Sequence, residues 1–147
     1  MYENYTRQSL PSREYRQLLG SAICVFSSNT GFIIEILLKI NPTLSWYDLI
    51  DKTSERLQKV IDKTIKEVDL SICDDYRELT KKRNRIVHSF RITNNYNQQS
   101  LATKTKSPEN TQFEITEEFL LEFINDNQKF SDKLYNLRAH IENGSNN

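Results

Sequence analysis

An all-α fold, an antiparallel bundle of about four main helices, follows from three features of this sequence. Apolar residues recur at helical spacing along four stretches. Candidate N-caps (Ser12, Ser45, Ser71 and Thr116) stand at the heads of those stretches. Three glycines and three prolines leave few of the turn residues that a strand-rich architecture uses. The 147 residues fit one domain, large enough to bury a core.

Residues 1–11 are polar, end at Pro11 and read as an irregular lead-in. Ser12 caps a helix predicted to run to about Asn41, with Tyr15, Leu19, Ala22, Phe26, Ile33, Leu37 and Ile40 as its stripe. Leu18, Val25, Phe32 and Ile36 widen the stripe, which places this helix in the middle of the core. Asn29 falls inside it and reads as a core amide satisfied by a neighbouring helix. Asn41-Pro42 ends the helix. Ser45-x-x-Asp48 opens a second amphipathic helix carrying Trp46, Leu49, Ile50, Leu57, Val60, Ile61, Ile65 and Val68.

Ser71-x-x-Asp74 opens a third helix, whose stripe is Ile72, Tyr76, Leu79, Ile86, Val87 and Phe90. Periodicity then disappears over about residues 89–115, an irregular insert with an asparagine- and glutamine-rich tip. Within it Phe90-Arg91-Ile92 and Gln112-Phe113-Glu114-Ile115 alternate, so a small hairpin between them is allowed. Thr116 caps the last helix, with Leu120, Phe123, Phe130, Leu134, Leu137 and Ile141 as its stripe. Residues 142–147 read as a flexible tail.

Twenty basic and twenty acidic residues cancel, so no global field draws the chain to nucleic acid or membrane; a polyanion site has to be a local patch. A mean hydropathy of −0.67 fits a soluble protein. The longest apolar segment, residues 31–40, contains Glu35 and Lys39 and is too short to span a bilayer. Cys24 and Cys73 lack metal-type spacing and form no disulfide framework, which with the absence of a signal-like start points to the cytoplasm. No glycine-rich phosphate loop, zinc spacing or Gly-x-Ser-x-Gly elbow occurs, so neither a metal nor a cofactor is expected.

The end of the third helix is different. Lys81-Lys82-Arg83-Asn84-Arg85-Ile86-Val87-His88-Ser89-Phe90 contains one of two histidines. Arg83, Asn84 and His88 offer a fixed cation, an amide and a group that titrates near neutrality. On an ideal helix they share an arc of about 140°. Lys81, Lys82, Arg85 and Arg91 surround them, a local patch suited to a phosphodiester. Helix-dipole complementarity at a C-terminus explains Lys81, Lys82 and Arg85. It does not explain Arg83, which falls on the apolar stripe, where an arginine needs a partner or a cleft. His140 looks like a solvent-side residue near a helix end.

Arg83-Asn84-x-x-x-His88 resembles the signature of the HEPN domain, a superfamily of helical proteins. Many of its members are metal-independent endoribonucleases acting as toxins or in antiviral defence. The resemblance implies that Arg83, Asn84 and His88 are catalytic and that Lys81, Lys82, Arg85 and Arg91 bind RNA. Where the subset controlled by a partner nucleotidyltransferase carries a tyrosine two residues past the histidine, this chain has Phe90, which has no hydroxyl to modify.

Cleaving RNA without metal requires a base for the 2′-OH and an acid for the 5′-oxygen, on opposite sides of one phosphate. One credible histidine does not supply both, whereas two copies of the motif in one cleft do. A homodimer with a composite site is therefore expected, with RNA as substrate and an antitoxin or defence protein as a further partner. Two alternatives stand beside it: a non-catalytic HEPN binding or dimerisation module, one half of a toxin–antitoxin pair, and a generic helical-bundle oligomer whose motif match is accidental, against which the position of Arg83 on the core face speaks.

Overall fold

The structure is a computed structural model and describes residues 2–144. Ser12 accepts the Tyr15 amide and starts α1 (Arg13–Ile40), which Asn41 ends. Ahead of it, the irregular lead-in is tied down by Glu3, whose carboxylate lies 3.1 Å from Arg13 Nε and 2.7 Å from Arg16 Nη2. The hydrogen bond from Arg13, then that from Arg16, lowers the Glu3 carboxyl from its ordinary 4.5 to about 2. Because the folded value is the depressed one, the clamp is at full strength above about pH 4.5 and is lost as pH falls toward about 2. Protection of the lead-in amides, taken relative to the intrinsic exchange rate at each pH, is expected to fall over that window while the α1 core stays protected. Unchanged protection there would mean that Glu3 does not hold the segment.

The second predicted helix is two helices. Ser45 caps α2 (Trp46–Ile50) and Thr53 caps α3 (Ser54–Ile65). Asp51-Lys52-Thr53 breaks the path, while the seven-residue step from Ile50 to Leu57 keeps the apolar stripe in phase across the break. Trp46 lies against α1 at Gly31. The next helix, α4 (Leu70–Val87), is capped by Asp69 rather than Ser71: its side chain accepts the Ser71 amide at 3.0 Å and the Ile72 amide at 3.4 Å. The final helix, α5, is Glu117–Gly144. The expected tail is thus helical through Gly144, and residues 145–147 lie outside the described residues.

The all-α expectation is wrong. Residues 90–115 form a three-stranded antiparallel sheet, β1 (Phe90–Thr93), β2 (Gln99–Lys104) and β3 (Gln112–Ile115), in the order β1-β2-β3. The two alternating pieces do not pair with each other. Each pairs with β2, through Phe90↔Ala102 on one side and Leu101↔Ile115 on the other. The asparagine-rich tip is the turn between β1 and β2. Asn94 Oδ1 accepts the amides of Tyr96 (3.0 Å) and Gln98 (2.9 Å), and Asn97 sits at φ 59°, a conformation asparagine tolerates. The sheet closes one end of the helices: Ile115 is buried in the core, and the Tyr15 hydroxyl donates to its carbonyl at 2.6 Å.

The helices are also not simply antiparallel. Tyr15 meets Ile115 just ahead of α5, and Lys39 meets Glu142 at the other end at 3.3 Å, so α1 and α5 run side by side in the same direction. Contacts of α4 run the other way, Lys82 to Asp126 and Asp75 to Lys133, so α4 returns toward the sheet. The core between them is aromatic. Phe26 stacks on Tyr76 (5.7 Å) and Phe123 (6.2 Å), and Tyr76 meets Phe130 at 5.9 Å. Asn29 is the core amide expected: its Nδ2 donates to the carbonyl (2.9 Å) and side chain (3.1 Å) of Asn127. By length and composition α1 could cross a membrane, but here it is the core helix of the bundle.

Candidate functional site

The motif closes α4 against the sheet. His88 is the C-cap, its amide donating to the Asn84 carbonyl at 2.9 Å, and its own carbonyl accepts the Thr103 hydroxyl at 2.9 Å. The backbone at His88 is thus held on both sides while the residue itself is exposed. Among the described residues, the side chains of Asn84 and His88 make no hydrogen bond or ion pair within the chain.

Arg83 points the other way, into the bundle. It is half-buried, with its guanidinium carbon 5.2 Å from the centre of the Phe26 ring, and Nη2 donates to the Ser54 hydroxyl. Its Nε is buried and has no partner. No carboxylate pairs with it among the described residues, so its charge is left unneutralised. Arg83 lines a groove of about 300 Å³ with Phe26 and Thr30 of α1, Lys52 and Ser54 at the α2–α3 break, and Val87 at the rim. Tyr76 also faces it, its hydroxyl 2.8 Å from Thr30 Oγ1. Burial pushes the Tyr76 phenol up, so it stays neutral at physiological pH and adds no negative charge. Asn84 and His88 do not line this groove.

The predicted basic patch is distributed over several faces. Lys81 pairs with Glu78 on the surface at 2.9 Å. About 100° around the helix from Arg83, Lys82 turns to α5 and pairs with Asp126 at 3.0 Å. Arg85 donates to the Lys104 carbonyl at 2.7 Å and fastens α4 to β2. Arg91 donates to the Ser9 carbonyl (3.2 Å) and to Gln99 Oε1 (2.9 Å) on β2. Lys82, Arg85 and Arg91 therefore hold the chain together as well as carrying charge, while Lys81 pairs within its own helix.

Sequence reasoning missed Lys52, Ser54 and Phe26 as neighbours of Arg83. Thr53 caps α3, but the apolar stripe that keeps phase through residues 50–57 hides that helix start in the sequence, and the placement of Lys52 and Ser54 beside α4 is a tertiary fact. Cys24 is exposed and Cys73 buried, both as free thiols. Burial, the largest influence, pushes the Cys73 thiol up to about 11, which leaves it unreactive at neutral pH. Among the described residues no group of three or more His, Cys, Asp or Glu is placed to hold a metal ion. Compared with protein-family models, with curated proteins and with solved structures, the chain gives no match.

Proposed function

We propose that the chain is a metal-independent endoribonuclease of the HEPN type, working as a cytoplasmic homodimer in the manner of a toxin or antiviral-defence enzyme. The observation that carries this reading is the availability of three side chains on one helix end. Asn84 and His88 are unengaged within the chain, and Arg83 keeps an unneutralised charge and an unpartnered Nε, while the flanking cations are occupied. The exposed Phe90, two residues past His88, supplies apolar surface for a second copy to cover.

In the composite site, one His88 takes the proton from the 2′-OH as its oxygen attacks phosphorus. The P–O5′ bond breaks, and the second copy's His88 returns a proton to the 5′-oxygen. Arg83 stabilises the charge that builds on the phosphorane oxygens, and Asn84 orients the phosphate. The products are a 2′,3′-cyclic phosphate and a 5′-hydroxyl. Light scattering at micromolar concentration is expected to give twice the chain mass, with RNA cleaved under the same conditions. A monomer that cleaves nothing would overturn the reading.

One arrangement favours a second reading. Arg83 opens on the inner groove and His88 on the outside, so a single chain does not converge them. A non-catalytic HEPN module, one half of a toxin–antitoxin pair, would need no convergence.

A further inference from the structure

We infer that the groove between α1, the start of α3 and the end of α4 is a phosphate-binding site, which takes the phosphate of a nucleotide on Lys52 and Arg83. Two cations line it, and none of its lining residues is a carboxylate. Lys52 makes no ion pair among the described residues. The anchor of Arg83 is a neutral hydroxyl, Ser54, so the guanidinium is fixed in place without its charge being cancelled. Phe26 supports the plane of the guanidinium from one side. An oxyanion in the groove faces the uncancelled charge of the Arg83 guanidinium and the Lys52 ammonium.

The remaining wall suits what a nucleotide brings with its phosphate. Ile23, Ile50 and Val87 give the groove an apolar side, and Ile50 and Val87 are about half exposed, at 45% and 51%. A base can lie there once its phosphate is held. The volume, about 300 Å³, is at the lower end of ligand pockets and fits a mononucleotide or one residue of a strand. In its RNA form the inference rests on the ribonuclease reading, to which it adds Lys52 as a second phosphate-holding cation and Ser54 as the residue that positions Arg83. Binding of a mononucleotide is separable from cleavage.

The test is a titration of the ¹⁵N-labelled full chain with adenosine 5′-monophosphate, and in parallel with adenosine, followed by amide chemical shifts. Saturable shifts at residues 52–54 and 83 are expected with the monophosphate and not with adenosine. Lys52→Ala is expected to weaken binding about tenfold, the loss of one charge-assisted contact, while Lys59→Ala, on the exposed face of α3, leaves it unchanged. Lys52→Ala removes no core contact, and its melting temperature checks that the fold is intact. Absent saturation, equal shifts with adenosine, or binding indifferent to Lys52→Ala would each overturn the site. Monophosphate binding without RNA cleavage would discard the ribonuclease reading and leave the groove standing. RNA cleavage without monophosphate binding would discard the groove alone.

Discussion

His88→Ala is expected to lower the rate of RNA cleavage by about 10²–10⁴-fold, the usual worth of a positioned proton-transfer group. It should leave thermal stability almost untouched, because His88 is exposed and its side chain is unengaged; the bonds at this position are made by its backbone. Arg83→Ala is expected to cost about 10²–10³-fold in rate through lost charge stabilisation. It also loses the Ser54 hydrogen bond and the contact with Phe26, so stability should fall by about 1–2 kcal/mol, a modest figure for a side chain that is only half-buried. Measuring cleavage rate and urea midpoint together on both variants separates catalysis from folding. If Arg83→Ala lowers only the urea midpoint and the RNA is still cut at the original rate, Arg83 is a core-edge residue and nothing more.

The largest effect on stability should come from Phe123→Ala. Phe123 is fully buried in α5 and stacks on Phe26, which in turn stacks on Tyr76, so its ring joins α5 to α1 and α4 at once. Truncation removes its transfer free energy and leaves a cavity that aromatic neighbours cannot fill, a loss of about 3–5 kcal/mol. Against a total stability of about 5–15 kcal/mol, that is a large fraction of the whole. Urea unfolding followed by helical circular dichroism measures it. A loss below about 1 kcal/mol would mean that the aromatic stack is not the centre of the core.

Much of the helical frame was legible in the residues. The stripes of α1 and α5 identified the buried faces, Asn29 included, because long periodic segments leave little choice of face. The α2–α3 break was hidden by a seven-residue step that keeps phase through three polar residues. The sheet was hidden for another reason. Its strands are four to six residues long, and the central one, Gln99–Lys104, has only Leu101 and Ala102 as apolar residues. Burial of Thr103 and Ser100 on β2 comes from the neighbours that flank it, which no local pattern announces. At the site, the anomaly of Arg83 on an apolar face was readable from spacing alone. Its anchors, Ser54 and Phe26, lie 29 and 57 positions away and meet it only through folding. The basic cluster looks like one patch in the sequence because its members are close along the chain, but closeness along a helix is not shared direction. The helix turns Lys82 and Arg83 to different neighbours.

The most direct measurement is an assay of purified chain on single-stranded RNA in excess EDTA, with the cleaved ends identified by mass spectrometry. The expected result is RNA cut in loops or unpaired stretches, with 2′,3′-cyclic phosphate and 5′-hydroxyl ends. DNA of the same sequence, which has no 2′-OH to attack, is expected to stay intact. Activity should fall as salt rises, since phosphate contacts are screened. Cleavage that appears only with magnesium, or that proceeds equally on DNA, would contradict the account.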